Sequence, residues 1–260
     1  MKDFEFKTKP YDHQMTALQV SGMSPNFALF MDMGTGKTKV ALDTIAMAFE
    51  SRRIDLALIV APKGVIANWE AEIETHLPDR IVREVVLWKP SLTKAKRKEL
   101  HSLYGEGHKL RFLLMNVEAF STKKGVEVAK AFVIRWDTFM AVDESTTIKN
   151  RQAKRTKALC TVGRDAKFRR ILTGSPVTKS PLDLYSQLSF LDPDILGFRS
   201  YYTFQNRYAV VVRRTMGAHS FNQVVGFQRL DELTEALDRC SYRVRKSDCL
   251  DLPEPELFNP

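Results

Sequence analysis

The chain has 260 residues, 44% hydrophobic and 27% charged, a balance that excludes a disordered tail or a disulfide-stapled miniprotein. Forty Lys and Arg against 31 Asp and Glu give a formal charge of +9, which favours an anionic partner such as nucleic acid or nucleotide without naming it. No apolar run approaches the ~20 residues of a membrane helix and the first residues lack the apolar core of a secretory signal, so an intracellular chain with no membrane partner is expected. The three cysteines, Cys160, Cys240 and Cys249, show no C-x-x-C spacing and are expected as free thiols.

In chain order, short apolar runs at Phe27–Met31, Leu56–Ala61, Ile81–Leu87, Arg111–Met115, Thr138–Val142 and Arg169–Thr173 are mostly too continuous to be half-exposed strands. Amphipathic stretches, such as Lys39–Glu50, Val65–His76 and Gln152–Val162, lie between them. This alternation implies an α/β fold with a mostly parallel sheet covered by helices on both faces. Residues 1–192 therefore read as one domain and 193–250 as a small α/β appendage. The appendage holds an aromatic stretch, FRSYYTFQNRY, a hairpin around TMGAHSFNQ and a helix near Leu230–Cys240. Residues 251–260, rich in proline, read as a linker. The basic run Lys94–Lys98 reads as a solvated helix face.

Met33-Gly34-Thr35-Gly36-Lys37-Thr38 follows a strand and opens a helix, where backbone N–H groups can cradle phosphates. Gly34, Thr35 and Gly36 would wrap the anion, Lys37 would reach the β- and γ-phosphates of ATP, and the Thr38 hydroxyl would hold Mg²⁺. The strict G-x-x-x-x-G-K-[ST] pattern is met only in its second half, because Met31 stands at the first glycine. A dinucleotide fingerprint fares worse, since Lys39 occupies its third glycine. Such a loop needs a carboxylate at a neighbouring strand end. Asp143 and Glu144, which close the run Thr138–Val142, supply a Mg²⁺ ligand and a water-orienting group at the sheet's carboxyl edge.

The order of these blocks resembles superfamily-two helicases, and specifically the Swi/Snf-like DNA-dependent ATPases. KPYDHQ resembles the family's amino-terminal Q element, MDMGTGKT its D-E-M-G-L-G-K-T loop, and LIVAPKGVIANWEAEI its I-V-x-P block followed by N-W. LLMNVEAF falls where the family has a DNA-facing block. AVDESTTIKN is similar to D-E-A-H-x-I-K-N, and LTGSPVTKSPLDLYSQLSFLDP to L-T-G-T-P-x-x-N-x-x-x-E-L-x-x-L-L-x-F-L. SYRVRKSDCLDLPE is similar to the stretch that leads into the family's second lobe. Two departures stand out. Ser145 and Thr146 replace Ala and His of the magnesium motif, and Ser175 replaces the threonine of G-T-P.

The resemblance implies a RecA-like P-loop NTPase lobe that uses ATP and Mg²⁺, with Lys37, Asp143 and Glu144 as catalytic groups. It implies that Gln14 recognises adenine, that Thr173 and Ser175 couple nucleotide state to the DNA groove, and that Lys63, Asn116 and Lys149 face the DNA backbone. Such contacts give affinity and salt dependence without sequence choice. The expected partners are DNA, by preference duplex, and a second RecA-like lobe in cis or in trans. Residues 193–260 show no second parallel sheet with an arginine finger, so the chain is expected to be the amino-terminal half of a larger motor, binding ATP weakly with little turnover. The compact layout points to a microbial or viral source. Two alternatives remain: a non-hydrolysing nucleic-acid clamp or scaffold, against which the pair Lys37 and Glu144 argues, and a lobe of an RNA or restriction-system helicase. Trp69 and Trp88 are expected in the core, and Tyr201, Tyr202, Phe204 and Tyr208 as packing for the appendage. Arg213 and Arg214 in the hairpin are candidates to lie along DNA.

Overall fold

The computed structural model describes residues 4–22, 24–91, 93–198, 200–216 and 219–249; the linker expected at 251–260 lies outside them. Helix α1 (Asp12–Ser21) precedes β1 (Asn26–Met31), α2 (Lys37–Glu50), β2 (Leu56–Ala61), α3 (Lys63–His76) and β3 (Arg83–Leu87). Next come α4 (Lys94–Ser102), β4 (Leu110–Asn116), α5 (Lys123–Arg135), β5 (Thr138–Asp143), α6 (Lys154–Gly163), β6 (Phe168–Leu172) and α7 (Leu184–Leu191). The chain continues through α8 (Tyr201–Tyr208), β7 (Ala209–Met216), β8 (His219–Phe227), α9 (Leu230–Asp238) and β9 (Ser241–Val244).

Seven parallel strands form the main sheet in the order β3-β4-β2-β5-β6-β1-β9, and β7 and β8 pair as a separate antiparallel hairpin. Burial on both faces explains the continuous apolar runs. In β2, Leu56, Leu58 and Val60 join one core while Ala57, Ile59 and Ala61 join the other, the two-residue alternation of a pleated strand. Helices α1, α2 and α3 cover the second face, through residues such as Leu18, Ile45 and Trp69. Helices α5 to α9 cover the first, through Phe132, Leu159, Leu188, Phe204 and Leu233. Truncating any one of these large buried side chains to alanine would cost about 2–5 kcal/mol.

Local chemistry sets the helix starts. The Thr122 hydroxyl accepts from the Gly125 amide at 3.1 Å at the head of α5, and the Thr93 hydroxyl does the same for Lys96 at 3.3 Å at the head of α4. No α4 residue is buried, as expected for the solvated basic run Lys94–Lys98. Trp69 and Trp88 are both in the core. Tyr202 departs from the packing expected of it: it is 64% exposed, while Phe204 and Tyr208 of the same helix are buried.

Two features were not foreseen. Ser241–Val244, in the stretch resembling the lead into a second lobe, forms the edge strand beside β1. Four residues are too few for a period-two pattern to stand out. Arg111 and Arg170, inside strands, are buried at 1% and 0% exposure. Arg170 donates to the carbonyls of Ser24 (2.7 Å) and Pro25 (3.1 Å), fixing the turn into β1. Arg111 donates to the carbonyls of Leu103, Gly105 and Gly107 before β4.

Candidate nucleotide site

Because all seven strands run the same way, the loops that follow them gather at one edge of the sheet, the usual place for a ligand in an open α/β fold. The phosphate loop follows β1, Thr173-Gly174-Ser175 follows β6, and Asp143-Glu144 closes β5. These three strands are adjacent in the order β5-β6-β1. Their ends enclose a cleft of about 230 Å³ whose walls include Asp32, Lys37, Glu144, Thr146, Thr173 and Ser175.

The phosphate loop turns on two glycines in the left-handed region, Gly34 at φ +87° and Gly36 at φ +82°. Side chains avoid this conformation. Gly36 is constrained a second way, because a Cβ there would lie 2.1 Å from Gln14 Nε2. Gln14, 3% exposed, donates to the Thr35 carbonyl at 3.1 Å and accepts from the Tyr11 amide at 3.1 Å. His13 Nε2 also meets the Thr35 carbonyl, at 2.8 Å. Helix α1 therefore grips the loop from behind. The Thr35 hydroxyl and amide donate to the Asp32 carbonyl at 2.8 and 3.2 Å, closing the turn.

Lys37 Nζ lies 3.5 Å from Glu144 Oε1 across the cleft. Asp143 is 2% exposed. Its Oδ2 accepts from Trp69 Nε1 at 3.0 Å and its Oδ1 from the Glu144 amide at 2.9 Å. Burial pushes this carboxyl above the usual range, and the Trp69 bond and the Lys37 charge pull against it. Each Asp143 oxygen keeps a further lone pair, and Thr38, at the first turn of α2, is half-buried. A hard cation takes oxygen ligands of this kind, so the residues present fit Mg²⁺. Among the described residues no cluster of three or more His, Cys, Asp or Glu forms a metal cage.

Thr173 is buried, and its hydroxyl accepts from the Ser175 amide at 3.2 Å. A Cβ on Gly174 would lie 3.3 Å from the Asp32 Cα, so the loop after β6 rests against the start of the phosphate loop. A separate apolar hollow of about 310 Å³ lies behind Ser175, Pro176 and Val177 under Leu230, Leu233 and Leu237 of α9, and it holds none of the phosphate-loop residues.

The three candidate DNA contacts share the same edge. Lys63 is exposed at the start of α3, and Asn116 ends β4, its Oδ1 accepting from the Ala119 amide at 2.9 Å. Lys149 follows the turn after β5 and its ammonium donates to Thr178 Oγ1. Sequence reading missed His13 and the polar role of Trp69. A buried indole N–H usually finds an acceptor, but the signal is weak here, because the indole N–H groups of Trp88 and Trp136 are buried without one.

Fold and site together define a RecA-like P-loop lobe. The chain belongs to the SNF2-related domain family, whose model matches residues 15–257. It is 33% identical over 189 residues to the probable ATP-dependent DNA helicase CHR23 of Arabidopsis thaliana, covering 69% of this chain and 16% of that protein. It is 29% identical over 227 residues to the CHROMATIN REMODELING 24 protein of Arabidopsis thaliana, covering 84% of this chain and 20% of that protein. The fold is similar to the Sulfolobus solfataricus SWI2/SNF2 ATPase core solved with dsDNA, with a TM-score of 0.69 and 22% identity over 97% of this chain and 48% of that one. It is also similar to the UvsW helicase from bacteriophage T4, with a TM-score of 0.51 and 11% identity over 71% of this chain and 58% of that one. The chain thus spans about half of the solved SWI2/SNF2 core and a fifth or less of these plant relatives.

Proposed function

We propose that this chain is the ATP-binding first lobe of a DNA-dependent ATPase that couples Mg-ATP hydrolysis to movement along duplex DNA. The observation that carries the reading is the approach of Lys37 to Glu144 at 3.5 Å, beside a buried Asp143 held at both oxygens. When bound, Mg²⁺ would neutralise charge on the phosphates. The chain's own groups have separate tasks. The amides of Gly34, Thr35 and Gly36 wrap the phosphates, Lys37 adds positive charge, Asp143 and Thr38 hold the cation, and Glu144 orients water.

Gln14, fixed against the phosphate loop, is the proposed adenine reader. Thr173 and Ser175 would carry nucleotide state toward the DNA groove, where Lys63, Asn116 and Lys149 meet the phosphate backbone. Two relatives support the nucleic-acid half of this reading: one is named a probable ATP-dependent DNA helicase and one solved structure carries dsDNA. A second RecA-like lobe, in cis or in trans, would supply arginines to the γ-phosphate, and without it turnover by this lobe is expected to be slow.

The test is titration of the chain with a fluorescent ATP analogue in Mg²⁺, beside Lys37→Ala. Saturable binding that weakens at least tenfold in the variant supports the reading. Equal binding by both proteins, or none by either, overturns it.

A further inference from the structure

The phosphate-binding groups account for Asp143 and Glu144 but leave the next residue unused. Ser145 is fully buried and its hydroxyl donates to Gln187 Oε1 at 2.6 Å. Gln187, on α7, is also fully buried. Its Nε2 donates to the Pro176 carbonyl at 2.8 Å and to the Asp183 carbonyl at 2.9 Å. One amide thus uses both N–H groups and its oxygen, which leaves it little rotational freedom. It joins the turn after β5 to the loop after β6, and both line the nucleotide cleft.

The neighbouring face of α7 extends this tie. Ser186 Oγ donates to the Lys149 carbonyl at 2.7 Å. Asp183 Oδ2, at the head of α7, accepts from the Thr178 amide (3.1 Å), the Thr178 hydroxyl (2.8 Å) and the Lys179 amide (3.1 Å). Positions 183, 186 and 187 share one helix face. In the family pattern the residues at 145 and 187 are Ala and Leu, neither of which can form this bond. A buried side-chain amide is costly unless every group is paired, so the pair is specified as a unit.

We infer that Gln187 is a positioning residue that transmits movement of the acidic turn at Asp143-Glu144 to the loop Ser175–Lys179, through its bonds to Ser145 and Pro176. The inference rests on the proposed nucleotide site. Because the bonds are directional, displacement of Ser145 moves the Gln187 amide and with it the Pro176 carbonyl. An Ala–Leu contact in the same place would slide.

Hydrogen exchange on the 260-residue chain, with and without Mg²⁺ and a non-hydrolysable ATP analogue, tests this. In the wild type, nucleotide is expected to slow exchange in the phosphate loop and also across residues 177–179. In Gln187→Leu the phosphate loop keeps its protection and nucleotide affinity stays within about threefold, while at least half of the protection across 177–179 is lost. Ser145→Ala, a smaller change that retains the Pro176 bond, is expected to lose it too. The double variant regains thermal stability without regaining the transmitted protection, which separates positioning from packing. Undiminished protection across 177–179 in both single variants, with nucleotide bound, overturns the inference alone. No Lys37-dependent binding by the wild type overturns the nucleotide site and the inference with it.

Discussion

Trp69 on α3 donates its indole N–H to Asp143 Oδ2 at 3.0 Å, and both residues are almost fully buried. A hydrogen bond to a charged group of this kind contributes about 1.5–3 kcal/mol, and partners of metal-binding carboxylates typically set affinity by about 10–100-fold. Trp69→Phe keeps an aromatic ring and removes the donor. Mg²⁺-dependent nucleotide binding is expected to weaken by about tenfold or more, and most at acidic pH, because the Asp143 carboxyl loses a bond that lowers its pKa. Calorimetric titration at pH 6 and pH 8 reads this, and equal affinity in both proteins at both pH values would refute the role.

The two loop glycines are expected to respond differently to alanine. At Gly34 a Cβ meets no atom within 4 Å, so Gly34→Ala costs only the left-handed conformation, about 1–2 kcal/mol. Gly36→Ala adds a Cβ 2.1 Å from Gln14 Nε2 and should cost more. Pairing it with Gln14→Ala should recover the steric part and leave the backbone part. Thermal denaturation of the four proteins checks the order.

Asp43 on α2 is 1% exposed and pairs with Lys39 at 2.8 Å, while its Oδ1 lacks a partner. Burial outweighs the Lys39 contacts and raises its pKa from 3.8 to about 6. The native state therefore holds this proton more tightly than the unfolded chain. Its contribution to stability is fully present below pH 3.8 and is lost as pH rises through 6, on the order of 3 kcal/mol at about 1.4 kcal/mol per pH unit. Asp43→Asn removes the linkage, so the stability of the variant relative to wild type should rise between pH 4 and pH 6 and stay level above it. Denaturant titrations across that window would show a flat difference if the account is wrong.

Lys63 is exposed at the start of α3. If it meets a DNA phosphate, Lys63→Ala weakens duplex binding for all sequences alike and reduces the slope of log affinity against log salt by about 0.9. An unchanged slope would remove Lys63 from the DNA path.

The sheet was legible because its central strands are buried on both faces: the runs at Leu56–Ala61 and Thr138–Val142 match β2 and β5 within a residue at either end. The phosphate loop and acidic pair were legible because each residue type has a chemical task. What the sequence hid was long-range and polar. Arg170 looks like a surface charge until the Ser24 and Pro25 carbonyls are seen around it. Gln187 sits in an amphipathic helix with nothing nearby in sequence to mark Ser145 as its partner, 42 positions away. Ser241–Val244 gains strand character only by pairing with β1.

If, as proposed, a second RecA-like lobe completes the ATPase site, turnover by this lobe alone must be slow. The most direct measurement is Mg-ATP turnover by the 260-residue chain with and without duplex DNA, beside Lys37→Ala and Glu144→Gln. The account predicts Lys37-dependent nucleotide binding with turnover at least about 10³-fold below that of a complete motor, the usual effect of withdrawing an arginine finger. Fast, DNA-stimulated turnover that disappears in both variants would contradict the need for a second lobe and would point to self-association supplying an arginine to the γ-phosphate.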